Sequence, residues 1–384
     1  MLKFAKCLLI AGFLLVLVLA ALGTLTPQGR AAVNAVLFIP QVLPDLPIKP
    51  QKWFTRTPVL EETSYETASG IGVADIYRPG GAGKHSAVLF FQGVSPGGRF
   101  DPRIVALGEG LARAGMVVMI PWSDTQTTNR IATKDVDNLV RAFQHLRGLD
   151  FVDPNRVGMG GICVGASLTT VAAQDDRIRD NVRFINFFAG YYDASDFAKA
   201  IGSRSRFGDD YASSWKPDGL TLRIFRNHII EGVESPDDRA LLERIFVDGY
   251  RETENDIDTF EKDAYAAYRL LKGVAYEEID AVVAMLSPAT KEFFRAISPS
   301  TNIDKLQARM LIMHDTADRL VPSEESRRLA AALEEGQVYH TEFSFFQRQI
   351  QVHIGDSEGI SPIDYLAQAL KLYMHIYNIM RDSA

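Results

Sequence analysis

A single cysteine carries the first chemical signal in this chain. Cys163 stands in "RVGMGGICVGASLTT", between Gly161 and Gly165 in a G-x-C-x-G pattern. A strand-like run precedes it and a helix-like run follows, so the thiol is predicted on a sharp strand-to-helix turn, lifted above the edge of a sheet. Such a turn brings neighbouring backbone close, which calls for glycine on either side. A helix starting near Val164 would offer backbone N–H groups and a positive dipole end, both of which lower a thiol pKa. The same five residues also suit a small, inert, buried cysteine, and the pattern alone does not separate the two. Two downstream segments bear on the choice. "LIMHDTADRLVPSEESRRLAAAL" places Asp318 just past an apolar strand at 310–313. That is the carboxyl edge of a sheet, where ligand sites of open α/β sheets gather. "QVHIGDSEGISPID" places His353 between a strand-like stretch and a final helix.

The elements that must position these residues are legible as an alternation. Uninterrupted apolar strands are predicted at 87–91, 116–120, 157–159, 182–188 and 310–313. Helices are predicted at 104–114, with Gly115 as a stop, at 135–147 with an apolar face at helical spacing, and at 164–174. A last helix opens at Ser361 and Pro362 and runs to about 380. Strand and helix in turn, with strands apolar throughout, predict an α/β fold with a mostly parallel sheet covered on both faces. Residues 191–304 break the rhythm with helix signals and few strands, and read as a helical insertion. Six prolines between Pro27 and Pro58 predict an extended connector over 29–60.

A nucleophile, an acid and a histidine in that chain order, each after a strand, resemble the α/β-hydrolases. With cysteine at the elbow, the chain is similar to the dienelactone hydrolase family. The resemblance rests on "VDPNRVGMGGICVGAS", "MHDTADRLVP" and "VHIGD", and on "DIYRPGGAGKHSAVLFFQGVSPGG", which is similar to the entry strands and oxyanion loop. It covers about 61–190 and 304–380. It implies Cys163 as nucleophile, His353 as base and Asp318 as the residue that orients the base. The backbone N–H of Val164, with that of Gly93 or Val94, would hold the oxyanion. The family's proton-handling glutamate has no counterpart here; the segment reads Phe91-Gln92-Gly93-Val94. His340 is an alternative base and Asp315 an alternative acid. His314 reads as a structural residue before the acid, and His85, His145, His228 and His375 as surface or core residues. Ser167 would point off the elbow. The implied activity is hydrolysis of ester, lactone or thioester bonds in a small acyl substrate, with no metal or organic cofactor. The alternatives are a catalytically inactive binding protein or scaffold on the same fold, and an acyltransferase.

Composition fits a globular chain that can bury a large core. The chain has 384 residues, 47% hydrophobic and 23% charged, with net charge −7. No basic block or interleaving of aromatic and basic residues suggests nucleic acid. The two cysteines, Cys7 and Cys163, form no disulfide framework or zinc spacing. Lys3 and Lys6 precede "CLLIAGFLLVLVLAALGTLTPQG", which is long enough to span a bilayer. Residues 1–28 therefore predict a retained single-pass anchor, with a cleaved signal peptide as the alternative. Either places the remainder outside the cytoplasm. The expected organisation is anchor, connector at 29–60, core at 61–190, helical cap at 191–304, and second core part at 305–384.

Overall fold

The computed structural model describes Gly23 and residues 25–43, 48–68, 70–95, 97–208, 210–344 and 362–383. One sheet holds eight strands: β1 (Val59–Thr67), β2 (Gly70–Arg78), β3 (His85–Phe91), β4 (Met116–Trp122), β5 (Val152–Ile162), β6 (Phe184–Phe188), β7 (Arg309–Asp315) and β8 (Val338–Phe343). Their spatial order is β1-β2-β4-β3-β5-β6-β7-β8. The β1/β2 and β2/β4 pairs are antiparallel and the others parallel. This is the mostly parallel α/β sheet, covered on both faces, anticipated from the sequence. β3 and β4 are buried along most of their length, as strands covered on both faces must be.

Two helical layers cover the sheet. The longer helices, numbered alone, are α1 (Pro27–Val42), α2 (Pro102–Arg113), α3 (Lys134–Arg147), α4 (Val164–Ala172), α5 (Ala194–Ser203), α6 (Gly219–Glu231), α7 (Pro236–Phe246), α8 (Lys262–Lys272), α9 (Pro288–Ala296), α10 (Glu324–Ala331) and α11 (Pro362–Asp382). Alternation along the strands sends Leu89 and Phe91 to one core with α3 and α4, and Val88 and Phe90 to the other with α1, α2 and α11. Helices α5 to α9 lie between β6 and β7, together with a short hairpin pairing Ser205–Phe207 with Ala212–Ser214. Helix α11 is tied to the sheet by Arg309 to Asp382 at 2.9 Å. His375 on the same helix bridges Thr341 at 3.1 Å and Asn186 at 3.0 Å.

The extended connector is corrected over its first half. Residues Pro27–Val42 form helix α1, not a spacer. Thr26 accepts the Gly29 amide at 3.0 Å, and Pro27 occupies the first turn, where a missing N–H costs nothing. Ala31, Ala35 and Phe38 recur on one face and are buried against α2 and α11. Pro40 falls in the last turn. Lys49 donates to the Pro40 and Leu43 carbonyls at 2.7 Å each, answering acceptors that the helix end leaves open. Proline count misled because position matters more than number. Residues 1–22, most of the expected anchor, lie outside the described residues. Among the described residues no helix is long and apolar enough to cross a membrane.

Candidate active site

The elbow is built by register. Phe91 pairs with Gly161, Ile162 with Phe188, and Phe188 with Met313, so four strands end at one level. Cys163 is the next residue after β5. Its backbone sits at φ 55° and ψ −135°, a region that L side chains rarely adopt and that costs about 1–3 kcal/mol. The turn is fixed by the Cys163 amide donating to the Phe188 carbonyl at 2.8 Å. The flanking glycines are required by space. A Cβ on Gly165 would lie 2.2 Å from the Phe91 carbonyl oxygen and 2.5 Å from the Gly93 nitrogen. One on Gly161 would lie 2.5 Å from the Gly165 carbonyl carbon. This contact sets the start of α4, with Val164, against Gly93, the two sources named for the oxyanion amides. Val94, the alternative second donor, is half-buried and lines a cavity with Cys163.

The thiol's surroundings correct the expectation of a lowered pKa. Cys163 is pushed up to about 12, first by burial and then by the Asp318 carboxylate. The Val164 N–H pulls the other way and loses. One amide at a helix start does not replace the water that the sulfur has given up. Asp318 is 3% exposed, three residues beyond β7. Its Oδ1 accepts the Leu320 amide at 2.6 Å and the Val321 amide at 3.3 Å. Burial still pushes it up to about 6, against the His314 imidazole and those two amides. Asp318 thus lies close enough for its charge to act on the Cys163 thiol.

The histidines divide clearly. His353 lies outside the described residues. His314 is fully buried, with Nδ1 2.5 Å from the Ser326 hydroxyl and Nε2 donating to the Val321 carbonyl at 3.0 Å. It stands 3.6 Å from Asp318 and is a structural residue of the acid turn. His340 sits on β8 and lines neither cavity that contains Cys163. His145 contacts the Thr63 hydroxyl at 3.0 Å. Asp315 ends β7 and accepts the Ala317 amide at 2.9 Å. The Ser167 hydroxyl points away from the elbow and bonds the Tyr191 backbone at 2.8 and 2.9 Å.

Sequence reading gave His228 as a surface or core residue and did not foresee its contact. This α6 residue accepts the Ile131 amide at 2.9 Å and stacks on Phe293 with ring centroids 5.0 Å apart. Burial, then Arg130, pushes its pKa down to about 4, so it is a neutral clasp between insertion and core. Its partner is a backbone amide 97 residues away, and no local motif announces it.

Two cavities meet at the thiol. The larger, about 260 Å³, runs between the sheet and helices α1, α2 and α11. The smaller, about 70 Å³, lies under the insertion beside Tyr191, Phe197 and His228. Cys163 and Leu320 line both. Gln92, where the resemblance implies glutamate, lines the larger one at 5% exposure, and neither its Oε1 nor its Nε2 has a hydrogen-bond partner among the described residues. Among the described residues no group of three or more His, Cys, Asp or Glu is placed to hold a metal ion.

No family model matches the chain, and no curated protein matches its sequence. Solved structures with a similar course include Pyrococcus horikoshii acylaminoacyl peptidase, at 14% identity and TM-score 0.45 over 84% of this chain and 46% of that one. A 2,6-dihydroxy-pseudo-oxynicotine hydrolase is similar at 13% identity and TM-score 0.48, over 84% of this chain and 68% of that one. A Mycobacterium tuberculosis puromycin-hydrolyzing peptidase is similar at 15% identity and TM-score 0.45, over 88% of this chain and 39% of that one. The chain spans less than half the length of either peptidase.

Proposed function

We propose that this protein hydrolyses carboxylic ester, lactone or thioester bonds through a covalent acyl-enzyme on Cys163. One observation carries the reading: the only cysteine among the described residues occupies the strained elbow, where two cavities meet. In the proposed reaction His353 takes the thiol proton as Sγ attacks the substrate carbonyl carbon. The carbonyl oxygen gains charge against the amides of Val164 and of Gly93 or Val94. The carbon–oxygen or carbon–sulfur bond to the leaving group then breaks, and His353 returns the proton to that group. Water attacks the resulting thioester, giving one proton to His353. That proton passes to Sγ as the acid leaves. Asp318 holds the imidazole in the tautomer this requires. Burial holds the thiol above its ordinary range, so this scheme relies on a base beside it.

That raised thiol also favours a second reading, a binding protein that kept the fold without catalysis. Alkylation separates the two. A thiol paired with His353 reacts with iodoacetamide well below the ordinary thiol pKa of about 8.5. Labelling confined to strong alkali, together with no turnover of any aryl ester, thioester or lactone, supports the scaffold. Replacing Cys163 with alanine should abolish turnover if the hydrolase reading holds.

The apolar run at the amino terminus supports placing the enzyme at a membrane with its catalytic part outside the cytoplasm. Leu25, Ile48, Trp53 and Phe54 are exposed in the segment that follows, a composition suited to a lipid interface. Protease protection of the full chain in sealed cells reads the topology directly. Release of a shortened, soluble chain would indicate leader cleavage instead.

A further inference from the structure

We infer that the larger cavity is a tunnel for a straight aliphatic acyl chain, so that the preferred substrates are medium-chain acyl esters or thioesters. The inference rests on the hydrolase reading for its chemistry, and on separate observations for its shape. In a parallel sheet the space between a strand face and its covering helices is normally filled by interlocking side chains. Here about 260 Å³ stays open there, between Val88, Phe90 and Phe184 on the sheet and Phe38, Leu107 and Ile376 on the helices. Helix α1 helps close it from outside, so the roof depends on a segment that composition alone marked as a linker.

Part of the floor is a glycine. Gly160 on β5 lines the cavity, and a Cβ there would meet only ordinary contacts, the nearest at 3.5 Å. Unlike Gly161, it is not glycine because backbone presses on it. Its missing side chain is cavity.

Polarity is graded along the space. Near the elbow stand Cys163, Val94 and Gln92, whose buried amide has no partner among the described residues. A buried unpaired amide is costly unless a ligand answers it. The lining also includes Ser95 and the paired side chains of Asp101 and Arg103 at the start of α2; the rest is hydrocarbon apart from Asn186, which is engaged with His375. A carbonyl at the elbow followed by an alkyl chain matches that order. At about 30 Å³ per water-sized unit the cavity holds roughly eight to nine such units, which corresponds to an acyl chain of about that many carbons. The hydrocarbon part of such a cavity favours apolar guests over water.

The test uses the full chain with p-nitrophenyl esters from acetyl to palmitoyl, plus Gly160→Leu from the floor and Leu107→Trp from the roof. The tunnel predicts kcat/KM rising about fourfold per methylene up to octanoyl or decanoyl, then levelling or falling. Both variants should cut the decanoyl-to-acetyl ratio by at least about tenfold while circular dichroism stays native. Turnover with a flat length profile, or ratios unmoved in folded variants, overturns the tunnel and leaves the hydrolase reading standing. If no ester turns over, the hydrolase reading fails, and thermal shift with 1-decanol decides the tunnel by itself. A rise in Tm that both variants abolish supports it. No rise overturns it. If either variant is not folded, the decanol shift of the unsubstituted chain and its ester profile still decide between an open tunnel and a filled one.

Discussion

At the scale of single residues, the elbow is maintained at a cost to stability. Cys163 holds φ 55°, so the usual ranking of substitutions should invert there. Cys163→Gly is expected to be more stable than Cys163→Ala by about 1 kcal/mol or more, because glycine relieves the strain that alanine keeps. Chemical denaturation of the two variants reads this. Asp318 carries a second cost. Its carboxyl is raised from 3.8 to about 6, so the folded chain holds this proton more tightly than the unfolded one. That favourable contribution is complete below pH 3.8 and is lost as pH rises through about 6. Asp318→Asn is therefore expected to gain on the parent, by up to about 3 kcal/mol at pH 8, with little difference at pH 3.5. Melting curves at the two pH values check the sign. The residue types and their spacing were legible in the sequence, because a tight turn admits few alternatives to glycine. The direction of the thiol's pKa was not, because burial is a property of everything packed around the sulfur.

At the scale of elements, α1 and the glycine contact at α4 decide the architecture of the site. Gly165→Ala would drive a methyl into the Phe91 carbonyl, 2.2 Å away, and separate Gly93 from Val164. Loss of several kcal/mol, or of soluble protein, is expected, because the obstacle is backbone that cannot rotate aside. Phe38→Ala should cost about 3 kcal/mol, which a connector residue would not. Truncation gives a coarser version of the same measurement. A chain starting at Gln51 lacks α1 and exposes the apolar faces of α2 and α11, so it should melt lower than one starting at Thr26. Periodic apolar runs made β3, β4 and α3 readable in advance. Helix α1 escaped because Pro27 falls in the first turn, where no N–H is needed, and Pro40 comes only two residues before the helix ends. The clasp formed by His228 also escaped, since its partner Ile131 is joined only by folding.

Across the whole molecule, a sheet that ends four strands at one level brings Gly93, Cys163, the Tyr191 loop and Asp318 to one edge, while two helical layers and the insertion enclose the thiol between two cavities. Chain order announced that edge. The cavities were invisible to it, since they consist of what Gly160 and its neighbours leave unfilled. The central claim is that the Cys163 sulfur becomes acylated during turnover. Mass spectrometry of the full chain, quenched in acid after mixing with excess p-nitrophenyl octanoate, measures this directly. The account predicts a single octanoyl adduct mapping to the Cys163 peptide, sensitive to neutral hydroxylamine and absent from Cys163→Ala. Turnover without an adduct, undiminished in Cys163→Ala, would contradict it.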